Sequence, residues 1–264
     1  QTYPNLEVLV VDDASTDETP DVLARFAETH PDLALTVLRN SPQRGANPSR
    51  NRAIKASRGS RIAFEDDDGV AEPDWIANLV RQFVSAKVGA VTGIVLDPEP
   101  RNIYDLAFSG THRVHGTTYA TRLVAGNMCV RRELLDGKLD ENRAEVSADM
   151  SVSGRGDEED LYLKLRAGGY EVRIAHDARV LHVHYYSRSS FFRQAWKGGR
   201  STAKLGYKYH LSPRYELLCL AASDACFLGA SVNPLLLVPA TGSFGVFATG
   251  ALVYNEFWRK RKTP

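Results

Sequence analysis

Two short apolar runs end in clustered carboxylates and are separated by helical patterns. Leu6 to Val11 stops at Asp12-Asp13, and Arg61 to Glu65 leads into Asp66-Asp67-Asp68. A β-branched apolar run that enters a polar loop reads as a buried strand. Ser15-Thr16-Asp17-Glu18 has the spacing of a capping box and predicts a helix from about Glu18 to Glu28, with Val22, Leu23 and Phe26 on one face. Leu33 to Leu38 reads as the next strand and Asn40 to Pro48 as a loop. A helix follows from about Ser49 to Ala56, and another from about Asp74 to Ser85 carries Trp75, Leu79 and Phe83 at helical spacing. Gly89 to Leu96 closes the series as a further strand. This alternation predicts an α/β chain with a mostly parallel sheet flanked by helices.

In such a sheet, ligands bind beyond the carboxyl ends of the strands, where Asp66, Asp67 and Asp68 fall. Carboxylates packed this closely repel one another unless a cation or hydrogen-bond donors compensate. Their hard oxygens suit Mg²⁺ or Mn²⁺, and the competing reading is a solvated acidic turn. A second cluster, Asp157-Glu158-Glu159-Asp160, opens a helical pattern that stops at Gly168-Gly169. Capping and the helix dipole favour acids there, but four exceed that need. Mutual repulsion raises one pKa, a route to a general base.

Leu123 to Arg131 reads as strand broken at Gly126-Asn127, and Arg132 to Leu135 as a helical turn. Two further strands are expected at Glu171 to Ala175 and Val180 to His184. Alternation puts His182 and His184 on one face, as hydrogen-bonded structural residues or as metal ligands. The basic helix expected from Ser189 to Leu205 carries Arg193, Gln194, Lys197 and Arg200, residues of a solvated face or of a diphosphate clamp.

The chain has 33 Lys+Arg against 32 Asp+Glu, a balance that argues against nucleic acid as its main partner. Its three cysteines lack Cys-x-x-Cys spacing, so neither a zinc site nor a disulfide scaffold is expected, and a reducing compartment fits. From Leu217 the composition turns apolar. Leu217 to Val232 and Ser243 to Trp258 are each short of the ~20 residues that span a bilayer, with Asp224 inside the first and Arg259-Lys260-Arg261-Lys262 after the second. The readings are a membrane hairpin with its basic flanks in the cytoplasm, or helices covering the sheet.

Five segments in order resemble the family 2 glycosyltransferases of the GT-A fold: Val10 to Asp17, Ser49-Arg50-Asn51, Phe64 to Asp68 with Pro73 and Trp75, Gly126-Asn127 with Arg131-Arg132, and Gly156 to Leu161. The resemblance implies a GT-A-type, Rossmann-like domain over 1–210 and a helical tail over 211–264. It also implies an inverting, metal-dependent transfer from a nucleoside-diphosphate sugar to a hydroxyl of a glycan, lipid-linked or small-molecule acceptor. Asp13 would contact the nucleotide base, with Arg50, Asp66, Asp67, Arg193 and Lys197 also on the donor. Asp66 and Asp68 would hold Mg²⁺ or Mn²⁺, with His182 as an additional ligand. Gly126, Asn127 and Asp160 would line the acceptor side. Glu158 would be the catalytic base, with Asp157 its competitor because the acids stand here in the order Asp-Glu. Gln194-x-x-Lys197 departs from the motif of processive members.

The resemblance further implies a strand-helix unit ahead of Gln1, without which the first sheet edge would be open. Two alternatives follow, a non-catalytic binding or membrane-scaffold protein of the same fold and a nucleotidyltransferase. A cytoplasmic location, at the membrane face through the tail, is expected.

Overall fold

The computed structural model describes residues 1–108, 118–120, 122–135, 139 and 157–191, the side chains of 107, 108 and 157 excepted. The chain divides into two compact units, Gln1–Ile94 with Val114–Val180, and Val95–Arg113 with Leu181–Pro264.

The first unit opens with β1 (Val8–Asp12), α1 (Thr19–Thr29) and β2 (Leu35–Arg39). β1 and β2 pair in parallel from Val8 opposite Leu35 to Asp12 opposite Arg39, and the last pair is closed by an ion pair of 3.0 Å. The expected capping box does not form. Glu18 is the N-cap residue with no side-chain cap bond, while Asp12 Oδ1 accepts the Ser15 N–H at 2.8 Å and Asp17 Oδ1 accepts the Thr19 N–H at 3.0 Å. Aspartates bond readily to amides two or three residues on, and they take the loop donors before Ser15 does. The predicted apolar face of α1 also stays open, with Val22 46% and Phe26 44% exposed. Here α2 (Ala46–Ala56) packs on β1, burying Asn47, Ser49, Asn51 and Ile54.

Next come β3 (Arg61–Phe64), β4 (Gly69–Ala71), α3 (Trp75–Arg81), β5 (Val88–Leu96) and, in the second unit, α4 (Ile103–Phe108). A 3-10 turn (Ala125–Asn127), β6 (Met128–Arg131), α5 (Arg132–Leu135), α6 (Asp157–Ala167) and β7 (Glu171–His182) complete the described elements that bear on the site. The two strands expected from residue 171 are one continuous strand. The second sheet has the order β3-β6-β5-β7-β4. In it β6 runs antiparallel to both β3 and β5. The helix-flanked α/β class is as expected.

α3 lays Trp75, Ile76 and Leu79 against Val88, Val91, Cys129, Ala175, Ala178 and Val180. Leu79, Val88 and Val91 are wholly buried, and each such side chain contributes about 1.5–3 kcal/mol of transfer free energy. Phe83, expected on the same helix face, lies beyond the end of α3 and packs at the edge of this cluster beneath the guanidinium groups of Arg61 and Arg131. Among the described residues no helix is long and apolar enough to cross a membrane. The tail over 211–264 lies outside them.

Candidate functional site

The end of β1 fixes the loop before α2. Asp13 Oδ1 accepts from Asn40 Nδ2 at 2.7 Å and from the Arg44 N–H at 2.9 Å, and Oδ2 accepts from the Gly45 N–H at 2.7 Å. Burial opposes the charge on Asp13, but the bonds from Asn40, Arg44, Gly45 and Ser49 outweigh it and hold the carboxyl below its ordinary pKa. The residue expected to meet the nucleotide base is thus a rigid, ionised acceptor that also shapes the loop.

The end of β3 carries the acidic turn. Asp66 and Asp68 are half-buried and Asp67 is exposed. The Arg50 Nη2, delivered by the first turns of α2, stands 3.3 Å from Asp66 Oδ1. On the other side, a Cβ on Gly126 would lie 2.6 Å from Asp66 Oδ2. Gly126 therefore admits the carboxylate where any other residue would press on it. The donor set fits a divalent cation of the Mg²⁺ or Mn²⁺ kind: hard carboxylate oxygens, close together, with Asp66 still 37% exposed. β7 passes beside this turn, since Val180 Cγ1 lies 3.1 Å from the Cβ position of Gly69, the residue after Asp68. His182 is the last residue of β7.

Asn127 is fully buried. Its Oδ1 accepts from Trp75 Nε1 at 2.8 Å, and its Nδ2 donates to the carbonyls of Ile94 and Ala178, both at 3.0 Å. The sequence places this residue on the acceptor wall. In the structure its side chain ties α3, β5 and β7 together, leaving Gly126 as the member of the pair at the surface of the site. Gly93 accommodates the tie, because a Cβ there would lie 2.3 Å from Asn127 Oδ1. Asp160, also expected on the acceptor side, is 3% exposed and pairs with Lys164 at 2.8 Å, so it too faces inward.

Asp157 opens α6, and its side chain lies outside the described residues. Glu158 is partly buried with Oε2 withdrawn from solvent and without a hydrogen-bond partner among the described residues. Burial, and next the Glu159 carboxylate, push its pKa up to about 7, while its backbone amide, Arg122 and Arg50 oppose the shift. A carboxylate that changes protonation near neutral pH is suited to general-base work. Arg122 pairs with Glu159 at 3.4 Å and was not predicted, as it stands alone in a stretch without periodicity or motif. Arg193 and Lys197 lie outside the described residues.

The family model described as "Glycosyl transferase family 2" matches residues 1–135. The chain is 37% identical over 81 residues to the putative glycosyltransferase EpsH of Bacillus subtilis, covering 31% of this chain and 23% of that protein. It is 33% identical over 88 residues to the UDP-Glc:alpha-D-GlcNAc-diphosphoundecaprenol beta-1,3-glucosyltransferase WfaP of Escherichia coli, covering 33% of this chain and 34% of that one. These matches span a quarter to a third of the curated relatives' own length. Among solved structures, the mannosyltransferase PcManGT of Pyrobaculum calidifontis, in complex with GDP-Man and Mn²⁺, aligns with a TM-score of 0.60 and 25% identity, covering 100% of this chain and 74% of that one.

Proposed function

This chain belongs to glycosyl transferase family 2, and on that premise we propose that it transfers a sugar from a nucleoside-diphosphate donor to an acceptor hydroxyl with inversion, using a divalent metal. The observation that carries this reading is the position of Arg50, whose charge acts both on Asp66 at the acidic turn and on Glu158 at the start of α6. Donor-side acids and a carboxylate poised near pH 7 thus share one cation.

In this reading Asp66 and Asp68 would hold Mg²⁺ or Mn²⁺. When bound, the ion would supply Lewis-acid neutralisation of charge on the departing diphosphate. Asp13 fixes the donor base through a carboxylate already locked to the Asn40–Gly45 loop. Glu158 removes the proton of the acceptor hydroxyl as it attacks the anomeric carbon from the face opposite the leaving group, so a single displacement inverts configuration. The acceptor is a hydroxyl of a glycan, and the name of WfaP favours one carried on a lipid diphosphate. Attachment to the cytoplasmic face of a membrane through 211–264 belongs to the same proposal.

Calorimetric titration with UDP, GDP and dTDP, each with and without Mn²⁺, tests the donor side. One nucleotide should bind only with metal, and Asp68→Ala should remove that binding. Binding of none, or binding indifferent to metal, overturns the donor assignment. With a donor in hand, ¹H NMR of the first-formed product reads the anomeric configuration.

A further inference from the structure

Within the first unit, β3 and β6 set two arginines directly opposite one another. Arg61 is the register partner of Arg131 in this antiparallel pair, and like charges so placed repel. Both guanidinium groups lie over the ring of Phe83, with Cζ 5.1 Å from its centroid for Arg61 and 5.4 Å for Arg131. One aromatic ring thus attracts two cations, and it neutralises neither. Arg61 opens β3 whereas Asp66 follows its end, so the pair stands at the other end of the strand from the acidic turn.

The two arginines differ in what else they meet. Arg131 donates from Nε to the Val88 carbonyl at 2.8 Å and from Nη2 to the Ser85 carbonyl at 2.9 Å, which fixes its guanidinium. Its Nη1 has Glu133 at 4.0 Å, an acid 64% exposed and therefore largely screened by solvent. Arg61 is half-buried, its Nε is closed to solvent without a hydrogen bond, and among the described residues no acid pairs with it. Its charge is felt in the core: burial pushes the Cys129 thiol up to about 12, and Arg61 opposes that rise. A half-buried cation without a counter-ion is costly, and a second cation fixed beside it adds to the cost. An anion would relieve both.

We propose that Arg61, with Arg131 beside it, binds a phosphate group at this end of the sheet. A guanidinium presents its N–H groups as a fork that matches phosphate oxygens. Near neutral pH a phosphate carries close to two negative charges, which answers a pair of arginines better than a single carboxylate does. With Nε of Arg61 shut off, the oxygens meet its Nη1 and Nη2, while Arg131 contributes its charge and its Nη1. The ring of Phe83 holds both guanidinium groups before the anion arrives, so little side-chain freedom is lost on binding. Free phosphate and the headgroup of an anionic phospholipid offer the same chemistry.

The test is ³¹P NMR titration of inorganic phosphate with the full chain, free of metal and at constant ionic strength. Wild type is compared with Arg61→Met and with Arg25→Met, which removes one exposed charge from α1, and thermal midpoints by circular dichroism show that each is folded. Arg61→Met should weaken phosphate binding by at least about tenfold, the equivalent of one charge-assisted hydrogen bond, and Arg25→Met should leave it unchanged. If Arg61→Met does not fold, Arg61→Lys takes its place; it keeps the charge without the fork and should still bind several-fold more weakly. Absence of phosphate binding by wild type, or equal affinities in the Arg61 and Arg25 variants, overturns the site. Where the site stands, flotation with phosphatidylcholine vesicles containing phosphatidic acid separates the two sources. Poorer recovery of Arg61→Met than of Arg25→Met assigns the lipid headgroup, and equal recovery assigns free phosphate.

Discussion

Arg50 Nη2 stands 3.3 Å from Asp66 Oδ1, so a carboxylate assigned to a divalent ion already has a cation beside it. Arginine and metal then compete for one charge. Both side chains are partly exposed, at 23% and 37%, and solvent screening reduces such a pair to on the order of 1 kcal/mol. Removing the arginine should therefore favour the metal and disfavour the nucleotide. Arg50→Met is expected to tighten Mn²⁺ alone by about fivefold, the equivalent of that energy, while weakening metal-dependent binding of the nucleoside diphosphate. Calorimetry on both ligands checks the two signs, and unchanged or weaker Mn²⁺ binding would rule out competition.

Glu158 gives a pH dependence with a definite direction. Its carboxyl is raised from 4.5 to about 7 in the folded chain, and a base acts only when deprotonated. kcat/KM should rise with pH through about 7. Glu158→Gln should lower kcat by about 10²–10⁴-fold and abolish that limb. Arg122→Met should move it to higher pH, because the Arg122 charge lowers this pKa. Stability has the opposite sign. Between 4.5 and about 7 the folded chain keeps a proton that the unfolded chain releases, so this group's contribution is present below 4.5 and is lost as pH rises through 7. Urea unfolding at pH 5 and pH 8 should show a smaller fall in stability for Glu158→Gln than for the parent. An equal fall in both would move the titration elsewhere.

The strands and the acidic turn were legible because burial and periodicity act locally. Leu6 to Val11 and Trp75 with Leu79 declare their environments within a few residues. What the sequence did not disclose depends on partners distant along the chain. Asn127 reads as a surface residue beside a glycine, and only the approach of Trp75, Ile94 and Ala178 makes it a buried tie. Arg122 gains meaning only from Glu158 and Glu159. Ser15 had the spacing of a cap, but Asp12 and Asp17 were nearer to the amides. The antiparallel pairing of β6 with β3 and β5 is likewise set by which strand returns beside which, and side-chain patterning does not encode that.

Gly126 sets how close the backbone comes to Asp66. A methyl group at its Cβ position would lie 2.6 Å from Oδ2, so Gly126→Ala must displace the carboxylate or the turn. Small displacements at a reacting centre are costly, and transfer is expected to fall about 100-fold while the thermal midpoint changes little. Donor turnover and circular dichroism together decide the matter. Full activity in a folded Gly126→Ala variant would show that the position of Asp66 is not critical.

Asn127 is expected to reveal itself through stability, with any loss of turnover following from loss of the fold. Asn127→Ala leaves the Trp75 indole N–H and the carbonyls of Ile94 and Ala178 without their side-chain partner. Each buried group left unsatisfied costs about 1–3 kcal/mol, and partial relaxation brings the expected total to roughly 2–4 kcal/mol. For a chain of this size that corresponds to a fall of about 5–15 °C in Tm. Asn127→Asp separates the contributions, since it keeps the acceptor for Trp75 but sets an oxygen 3.0 Å from two carbonyl oxygens. It should therefore be at least as destabilising as the alanine, despite its nearly identical shape. Thermal unfolding of both variants is the check. A stable Asn127→Asp chain with impaired acceptor use would return this residue to the acceptor wall.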